Sequence, residues 1–274
     1  MLKQRVITAL ILAPIVVWGI FGLATPGFAW FMGAVVALAA WEWANLSGWQ
    51  AQWQRIAYGA FVAGLLALTY GQSEWVLVPA LVWWLVAFGL VLTYPVSARL
   101  WRNSWVRALM GLLILVPTWN GLVVLHQAQL VDSRSIGGVW IILYVFCVVW
   151  VADIGAYFAG RTWGKKKLAP RVSPGKSWAG VYGGLALVAA LALAVGLWLD
   201  WTGARLAALV AMTLVTAMVS IVGDLCESMV KRFRGLKDSS QLLPGHGGIL
   251  DRVDSITAAV PVFTLLAIWQ GWLA

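Results

Sequence analysis

A polar, charge-dense segment runs from Ser228 to Ser255 in a chain that is otherwise almost entirely apolar. Ionisable side chains at a membrane face are costly to bury and therefore indicate a functional site by default. Carboxylates suit hard cations such as Mg²⁺, which typically holds one or two protein carboxylates together with substrate phosphates. Lysine and arginine can neutralise those phosphates, arginine in a bidentate manner. The segment therefore predicts metal-assisted chemistry on a phosphorylated substrate. Its titratable side chains are Lys231, Arg232, Arg234, Lys237, Asp238, His246, Asp251, Arg252 and Asp254.

Acidic side chains also cluster on the two predicted helices that flank this segment. At the end of the eighth predicted helix, polar residues recur at i, i+3, i+4 and i+7, a spacing that places them on one face. The last predicted helix begins with Asp251 and Asp254, which also suit the positive end of the helix dipole. Capping explains one of these two aspartates and leaves the polar face of the eighth helix unexplained. That face consists of Asp224, Glu227, Ser228 and Lys231.

A third acidic site, Asp153, lies inside the sixth predicted span. It precedes Arg161 by eight residues, which places it about 12 Å below the following loop at a rise of 1.5 Å per residue. A structural hydrogen bond or an internal pair with a basic residue is one interpretation. A carboxylate this deep in a span more often marks a substrate or ion site, so Asp153 is a further candidate ligand of a cation.

Basic residues cluster from Arg161 to Lys176, before the seventh predicted span. Ser173 followed by Pro174 predicts the N-cap and first position of a helix, whose free backbone donors could bind a phosphate. Lys176 adds a positive charge there, whereas topology or attraction of anionic lipid headgroups explains most of the cluster. A P-loop is excluded because its spacing requires glycine where the chain has Pro170, and because no strand is predicted before it.

The turn P-G-H-G-G contains His246, which either donates a hydrogen bond to a phosphate or orders the turn. A zinc site is excluded, because the only other histidine, His126, is predicted near the opposite face. Cys147 and Cys226 cannot form a disulfide framework and are interpreted as small hydrophobic residues in or near spans.

The elements that must position these residues are membrane helices. The 274 residues are 62% hydrophobic and only 11% charged, and long apolar runs without period-two alternation favour helices over a closed barrel. We predict an all-α polytopic membrane protein, with N-terminal spans in region 1–135 and a catalytic region 136–274 that contains cytoplasmic loops 161–176 and 228–252. The nine predicted spans are roughly 6–23, 28–46, 56–71, 75–94, 106–125, 138–159, 178–199, 206–224 and 255–273.

The distribution of basic residues predicts the orientation. If the N-terminus is cytoplasmic, only Arg134 and Arg205 of the 19 Lys and Arg residues fall on the outer side. This bias is the one that the positive-inside rule describes, and it predicts a cytoplasmic N-terminus and a C-terminus on the opposite side. The net charge of +9 is then largely topological. Nucleic acid is excluded as a partner because no soluble domain is predicted to bind it.

The order of residues in the polar segment resembles the signature of the phosphatidate cytidylyltransferase family, the CDP-diacylglycerol synthases. That signature reads S, two spacers, K-R, four spacers, K-D, then P-G-H-G-G, two spacers and D-R-x-D, and all of its fixed positions are present. The segments that begin at Asp153 and Ser173 also look like the family, although the family often has threonine and an acidic or amide residue where Ser177 and Ala179 stand. The resemblance covers about residues 140–260. The matched positions are Ser228, Lys231, Arg232, Lys237, Asp238, Pro244, Gly245, His246, Gly247, Gly248, Asp251, Arg252 and Asp254.

The resemblance implies that the protein uses CTP and phosphatidic acid and forms CDP-diacylglycerol and pyrophosphate. In the family, a cation pair is held at the positions of Asp224 and Asp251, which implies Mg²⁺ and a second cation here, with Asp153 and Asp254 as further candidate ligands. It also implies a homodimer in contact with membrane lipids, in a bacterial-type inner membrane with the active site facing the cytoplasm. The candidate catalytic residues are Asp224, Lys237, Asp238, His246 and Asp251, and the candidate phosphate-binding residues are Ser173, Lys176, Ser228, Lys231, Arg232 and Arg252.

Two alternatives remain open from the sequence. A CTP-dependent polyprenol or phytol kinase would differ mainly in its lipid pocket, which the sequence does not specify. A membrane transporter would also place Asp153 and Asp224 in the membrane, but it would not obviously need a cytoplasmic segment rich in phosphate-binding residues.

Overall fold

The computed structural model describes residues 2–131, 134 and 136–274. The predicted division between regions 1–135 and 136–274 falls on residue 135, outside the described residues. Most of the described chain is helical, and it also contains a short antiparallel hairpin and one 3-10 turn, Val96–Arg99. The elements are α1 Leu2–Gly22, α2 Thr25–Ser47, α3 Gln52–Thr69, α4 Ser73–Leu92, α5 Ser104–Gln127, α6 Gly138–Trp163, β1 Lys167–Ala169, β2 Ser173–Ser177, α7 Trp178–Trp198, α8 Gly203–Phe233 and α9 Leu250–Trp269.

The predicted class of an all-α polytopic membrane protein is confirmed. Within the described residues, seven helices, namely α2 and α4 to α9, are long and apolar enough to cross a membrane. Two of the nine predicted spans fall short of that measure. Among the described side chains of α1, the apolar stretch Leu10–Gly22 is shorter than a span, and α3 begins with the polar residues Gln52, Gln54 and Arg55.

The helices run alternately between two ends of the bundle. At the end that we call the site end, Thr8 Oγ1 of α1 donates to Pro244 O in the α8–α9 connection at 2.9 Å. At the other, the far end, Ala274 N donates to Gln129 O at 2.9 Å. Arg134, which was predicted to lie apart from most basic residues, is also at the far end, 2.6 Å from Asp200. The first turns of α1 and the last residue therefore lie at opposite ends.

Close contacts between small residues hold α6 against α7. A Cβ atom at Gly155 would lie 2.7 Å from Gly183 O, and one at Gly184 would lie 2.7 Å from Ala152 O. Only glycine permits this approach, which is typical of small-residue helix pairs in membranes. The contact places Asp153, on α6, beside the start of α7.

The start of α7 differs from the prediction that Ser173 caps this helix. Ser173 instead begins strand β2, which pairs with β1 in the register Lys167 with Ser177 and Ala169 with Ser173. The N-cap of the helix lies four residues later, at Ser177, whose hydroxyl accepts from Gly180 N at 3.2 Å. Strand pairing satisfies the backbone of residues 173–177 and so replaces the helical turn that the Ser-Pro pair suggested.

Candidate active site

A buried lysine joins the ends of α8 and α9. Lys231 Nζ lies 2.6 Å from Asp251 Oδ1 and 3.0 Å from Glu227 Oε1. The side chains of Lys231 and Asp251 are only 10% and 6% exposed. A charge in such a place must be paired, because moving an ion out of water without a partner costs on the order of several kcal/mol. The predicted polar face of α8 therefore faces the start of α9.

The second oxygen of Asp251 organises the turn that precedes α9. Asp251 Oδ2 accepts from Ser239 N at 2.9 Å, from Ser239 Oγ at 3.0 Å and from Gly248 N at 2.8 Å. The turn requires glycine for two reasons. Gly247 has a φ of +82°, and a Cβ atom at Gly248 would overlap the Ser239 hydroxyl. The G-G pair of the motif thus allows the backbone to approach the aspartate.

Glu42 is a residue of this site that the sequence analysis missed. Although it lies in the apolar helix α2, it is fully buried and accepts four hydrogen bonds from the α8–α9 connection and the start of α9. An acidic residue within a span was the available signal. The donors are Ser239 Oγ at 3.1 Å, Ser240 Oγ at 2.6 Å, Ile249 N at 3.0 Å and Leu250 N at 2.7 Å.

A second lysine–aspartate pair lies nearer the surface. Lys176 Nζ is 2.6 Å from Asp224 Oδ2, and the two side chains are 26% and 27% exposed. Ser228 Oγ donates to Asp224 Oδ1 at 3.1 Å. The hairpin strand β2 supplies Lys176 and helix α8 supplies Asp224, so the pair joins the two motifs that the sequence placed about 50 residues apart.

A cavity of about 220 Å³ opens beside this pair, between α6, α7, α8 and the hairpin. Most of its lining is apolar, and we call it the polar cavity because two charged side chains line it. Asp153 and Lys176 both line it, and Asp153 is within electrostatic reach of Lys176 and Asp224. The structure thus brings Asp153, the third predicted acidic site, close to Asp224 of the α8 site. The cavity presents both carboxylate and ammonium groups, which suit a phosphate together with its counter-cation.

Negative charge exceeds positive charge in the inner part of this site. Asp254 interacts electrostatically with Asp224 and Glu227, and the buried carboxylate of Glu227 has no polar partner beyond its ion pair with Lys231. Buried carboxylates in this condition fit the presence of a cation. The described residues contain no group of three or more His, Cys, Asp or Glu side chains arranged to hold a metal ion. Mg²⁺ bound by one or two carboxylates and by substrate phosphates requires no such group.

The remaining candidate residues lie at the rim of the site. Arg252 donates from Nε and Nη2 to His246 O at 3.0 and 2.7 Å, so this arginine orders the turn through the backbone of His246. Arg232 Nε donates to Val172 O at 3.3 Å and joins α8 to the hairpin. Lys237 and Asp238 are exposed. The structure therefore separates an inner set of charged residues from an outer set that faces solvent.

These features define a class: a polytopic membrane protein with paired lysine and aspartate side chains at one end of its bundle. The chain belongs to the cytidylyltransferase family, whose model matches residues 3–269. It is 56% identical over 276 residues to the phosphatidate cytidylyltransferase of Pseudomonas aeruginosa, with 99% of both chains covered. It is 39% identical to the enzyme of that name from Haemophilus influenzae, with 96% of this chain and 98% of the relative covered. A Brucella suis phosphatidate cytidylyltransferase is 35% identical over 284 residues.

Proposed function

We propose that this protein transfers the cytidylyl group of CTP to phosphatidic acid and releases pyrophosphate. The full-length similarity to phosphatidate cytidylyltransferases supports this activity. The structural observation that carries the proposal is the partly exposed Lys176–Asp224 pair, whose lysine lines the polar cavity between membrane helices. Such a cavity offers a phosphate group, whether of a water-soluble nucleotide or of a lipid headgroup, a cation at the end of the bundle.

The reaction forms one bond and breaks one. A phosphate oxygen of phosphatidic acid attacks the α-phosphorus of CTP, and the bond from that phosphorus to the bridging oxygen of the β-phosphate breaks. Pyrophosphate leaves with the electron pair, and CDP-diacylglycerol remains in the membrane. The second pKa of a phosphate monoester is about 6, so the attacking group is already ionised near neutral pH and needs no general base.

The protein's own task is to hold two anions together. Lys176 lies where it can neutralise a phosphate in the cavity, and Arg232 and Lys237 offer further positive charge at the rim. When bound, Mg²⁺ supplies additional neutralisation of the nucleotide phosphates. Asp224 would hold it at the outer pair, and Asp251 would join it only by releasing Lys231 from its Oδ1 oxygen, with Asp254 and Asp153 as further candidates for a second cation. Of the first two, Asp224 is the more accessible, at 27% exposure against 6%.

Pyrophosphate release by purified protein in detergent, with CTP, phosphatidic acid and Mg²⁺, tests the activity. Asp224→Asn is expected to abolish release, and Asp251→Asn is compared with it after folding has been checked. The matched control is Asp200→Asn, because Asp200 is an aspartate in an ion pair of the same length at the far end. Equal release by wild type and Asp224→Asn would refute the assignment of this carboxylate.

The same assay separates the two alternatives. A CTP-dependent lipid kinase would form CDP, rather than pyrophosphate, in the presence of an isoprenoid alcohol. A folded protein that forms neither pyrophosphate nor CDP with any lipid would favour the transporter. The family membership favours neither alternative.

We further propose that the site end faces the cytoplasm of a bacterial inner membrane and that the protein forms a homodimer. The resemblance supports both proposals, and the concentration of basic residues at this end supports the orientation. A membrane-impermeant thiol reagent should label Lys237→Cys in inverted vesicles but not in intact spheroplasts, and Asp200→Cys in the reverse pattern. Mass measurement of the protein in native lipid discs tests the dimer.

A further inference from the structure

A long apolar groove of about 660 Å³ lies between α4, α7 and α8, and the β1–β2 hairpin closes it at the site end. Helix α4 contributes the outer wall with Leu85, Phe88 and Leu92, which are 68%, 49% and 66% exposed. Trp84 of α4, which is buried, lies on the floor of the groove. The groove therefore has an apolar floor and a side open toward the surrounding lipid.

This groove adjoins the polar cavity of the candidate active site. Leu168, Val181 and Ile221 line both spaces. Two other apolar cavities of about 590 and 560 Å³ share no lining residue with the polar cavity, since one lies at the far end and the other between α2, α3 and α5. The position of the groove, rather than its size, distinguishes it.

The length of the groove matches the hydrocarbon part of one leaflet, and its charged end lies where a lipid headgroup would be. Along α4, the lining extends from Leu81 to Leu92, about 16 Å at a rise of 1.5 Å per residue. This is about half of the roughly 30 Å hydrocarbon core, or one leaflet. Arg171 lies in the lining at the hairpin, and Lys176 lies just beyond it in the polar cavity. The cations are thus at the end where an anionic headgroup would be.

We propose that this groove binds the acyl chains of phosphatidic acid, which enters sideways from the bilayer past α4. The phosphate then reaches Lys176 in the polar cavity while the glycerol backbone passes Leu168 and Val181. The proposal rests on the proposed function and specifies which surface selects the lipid. A groove filled by any neighbouring phospholipid is the competing outcome.

Photo-crosslinking tests the occupant directly. A phosphatidic acid with a photoreactive group near the end of one acyl chain is added to the full-length protein in vesicles of phosphatidylcholine. Crosslinks are expected on the α4 and α8 segments that line the groove, and unlabelled phosphatidic acid should compete about tenfold better than phosphatidylcholine. Equal competition by the two lipids, or labelling confined to other helices, would overturn the proposal.

A matched pair of substitutions tests the role of the groove in turnover. Leu81→Trp fills its deep end, whereas Leu191→Trp enlarges a similarly half-buried leucine in the far-end cavity. Leu81→Trp should lower kcat/KM for dioleoyl phosphatidic acid by about tenfold relative to dioctanoyl phosphatidic acid, a usual effect of a size change in an apolar pocket. The KM for CTP should stay unchanged, and Leu191→Trp should leave the chain-length ratio as in wild type.

An unchanged ratio of kcat/KM for the two phosphatidic acids in folded Leu81→Trp would contradict the acyl-chain assignment. That outcome is distinct from failure of the proposed function, since wild-type protein would still release pyrophosphate from CTP. If the wild type itself were inactive with every phosphatidic acid, the proposed function would fall first.

Discussion

The two lysine–aspartate pairs of the site have the same length and very different surroundings. Both Nζ to Oδ distances are 2.6 Å, but Lys231 and Asp251 are 10% and 6% exposed, whereas Lys176 and Asp224 are 26% and 27% exposed. Asp251 also accepts three further hydrogen bonds from its own turn. We therefore propose that the inner pair mainly fixes structure and that the outer pair exchanges its partner for a ligand.

The inner pair should therefore show the larger effect on stability. Lys231→Ala would leave Glu227 and Asp251 as buried carboxylates without their cation, and breaking a buried pair in this way costs about 3–5 kcal/mol. The free energy of unfolding can be measured by denaturant titration in mixed micelles. A loss no larger than that of a surface ion pair would contradict the structural role of Lys231.

Glu42→Gln should give the next largest loss. Ile249 N and Leu250 N donate to different oxygens of Glu42, so the NH2 group of glutamine would face one of these backbone donors and the serine hydroxyl that shares its oxygen. We expect a cost of about 1–3 kcal/mol for the donors left unpaired, and a fall in pyrophosphate release because Asp251 shares the Ser239 hydroxyl with Glu42.

Trp43→Phe is the control for Glu42. It removes a hydrogen bond from the same buried helix, Trp43 Nε1 to Arg107 O at 2.7 Å, that points toward α5 and away from the α8–α9 connection. Its activity per folded molecule should match the wild type. Equal activity loss in both variants would indicate a general effect of α2 packing.

A double substitution sharpens the account of the inner pair. Adding Glu227→Gln to Lys231→Ala removes one of the two uncompensated charges, while Asp251 keeps the donors of Ser239 and Gly248. Coupling of neighbouring residues is typically 0.5–3 kcal/mol, and we expect a recovery of about this size. If the double variant loses as much stability as the two single variants together, Lys231 does not compensate the charge of Glu227.

Much of the fold and of the site could be predicted from the sequence, because the signals are local. Apolar runs indicate the helices, and the i, i+3, i+4, i+7 spacing placed Asp224 and Lys231 on one face, where the structure has them. The roles of the candidate residues in catalysis and in binding a cation stay predictions that the experiments above address.

The errors and omissions depend on distant contacts. Glu42 meets donors that are 197 to 208 positions away, so no local spacing reveals its partners. The hairpin that replaces the predicted helix start at Ser173 is held partly by Arg232 of α8, 60 positions from its acceptor Val172. The different exposure of Asp224 and Asp251 is likewise set by packing, since each begins the same i, i+3 pattern of acidic residues.

The turnover of Lys176→Ala, expressed as pyrophosphate released per mole of folded protein, tests the central contrast most directly. Because the outer pair is partly exposed, its loss should change the free energy of unfolding by no more than about 1 kcal/mol. Turnover should nevertheless fall by about 10²–10³-fold, the usual effect of removing one group that stabilises developing charge. Wild-type turnover in this variant would contradict the assignment of the outer pair as the part of the site that acts on substrate.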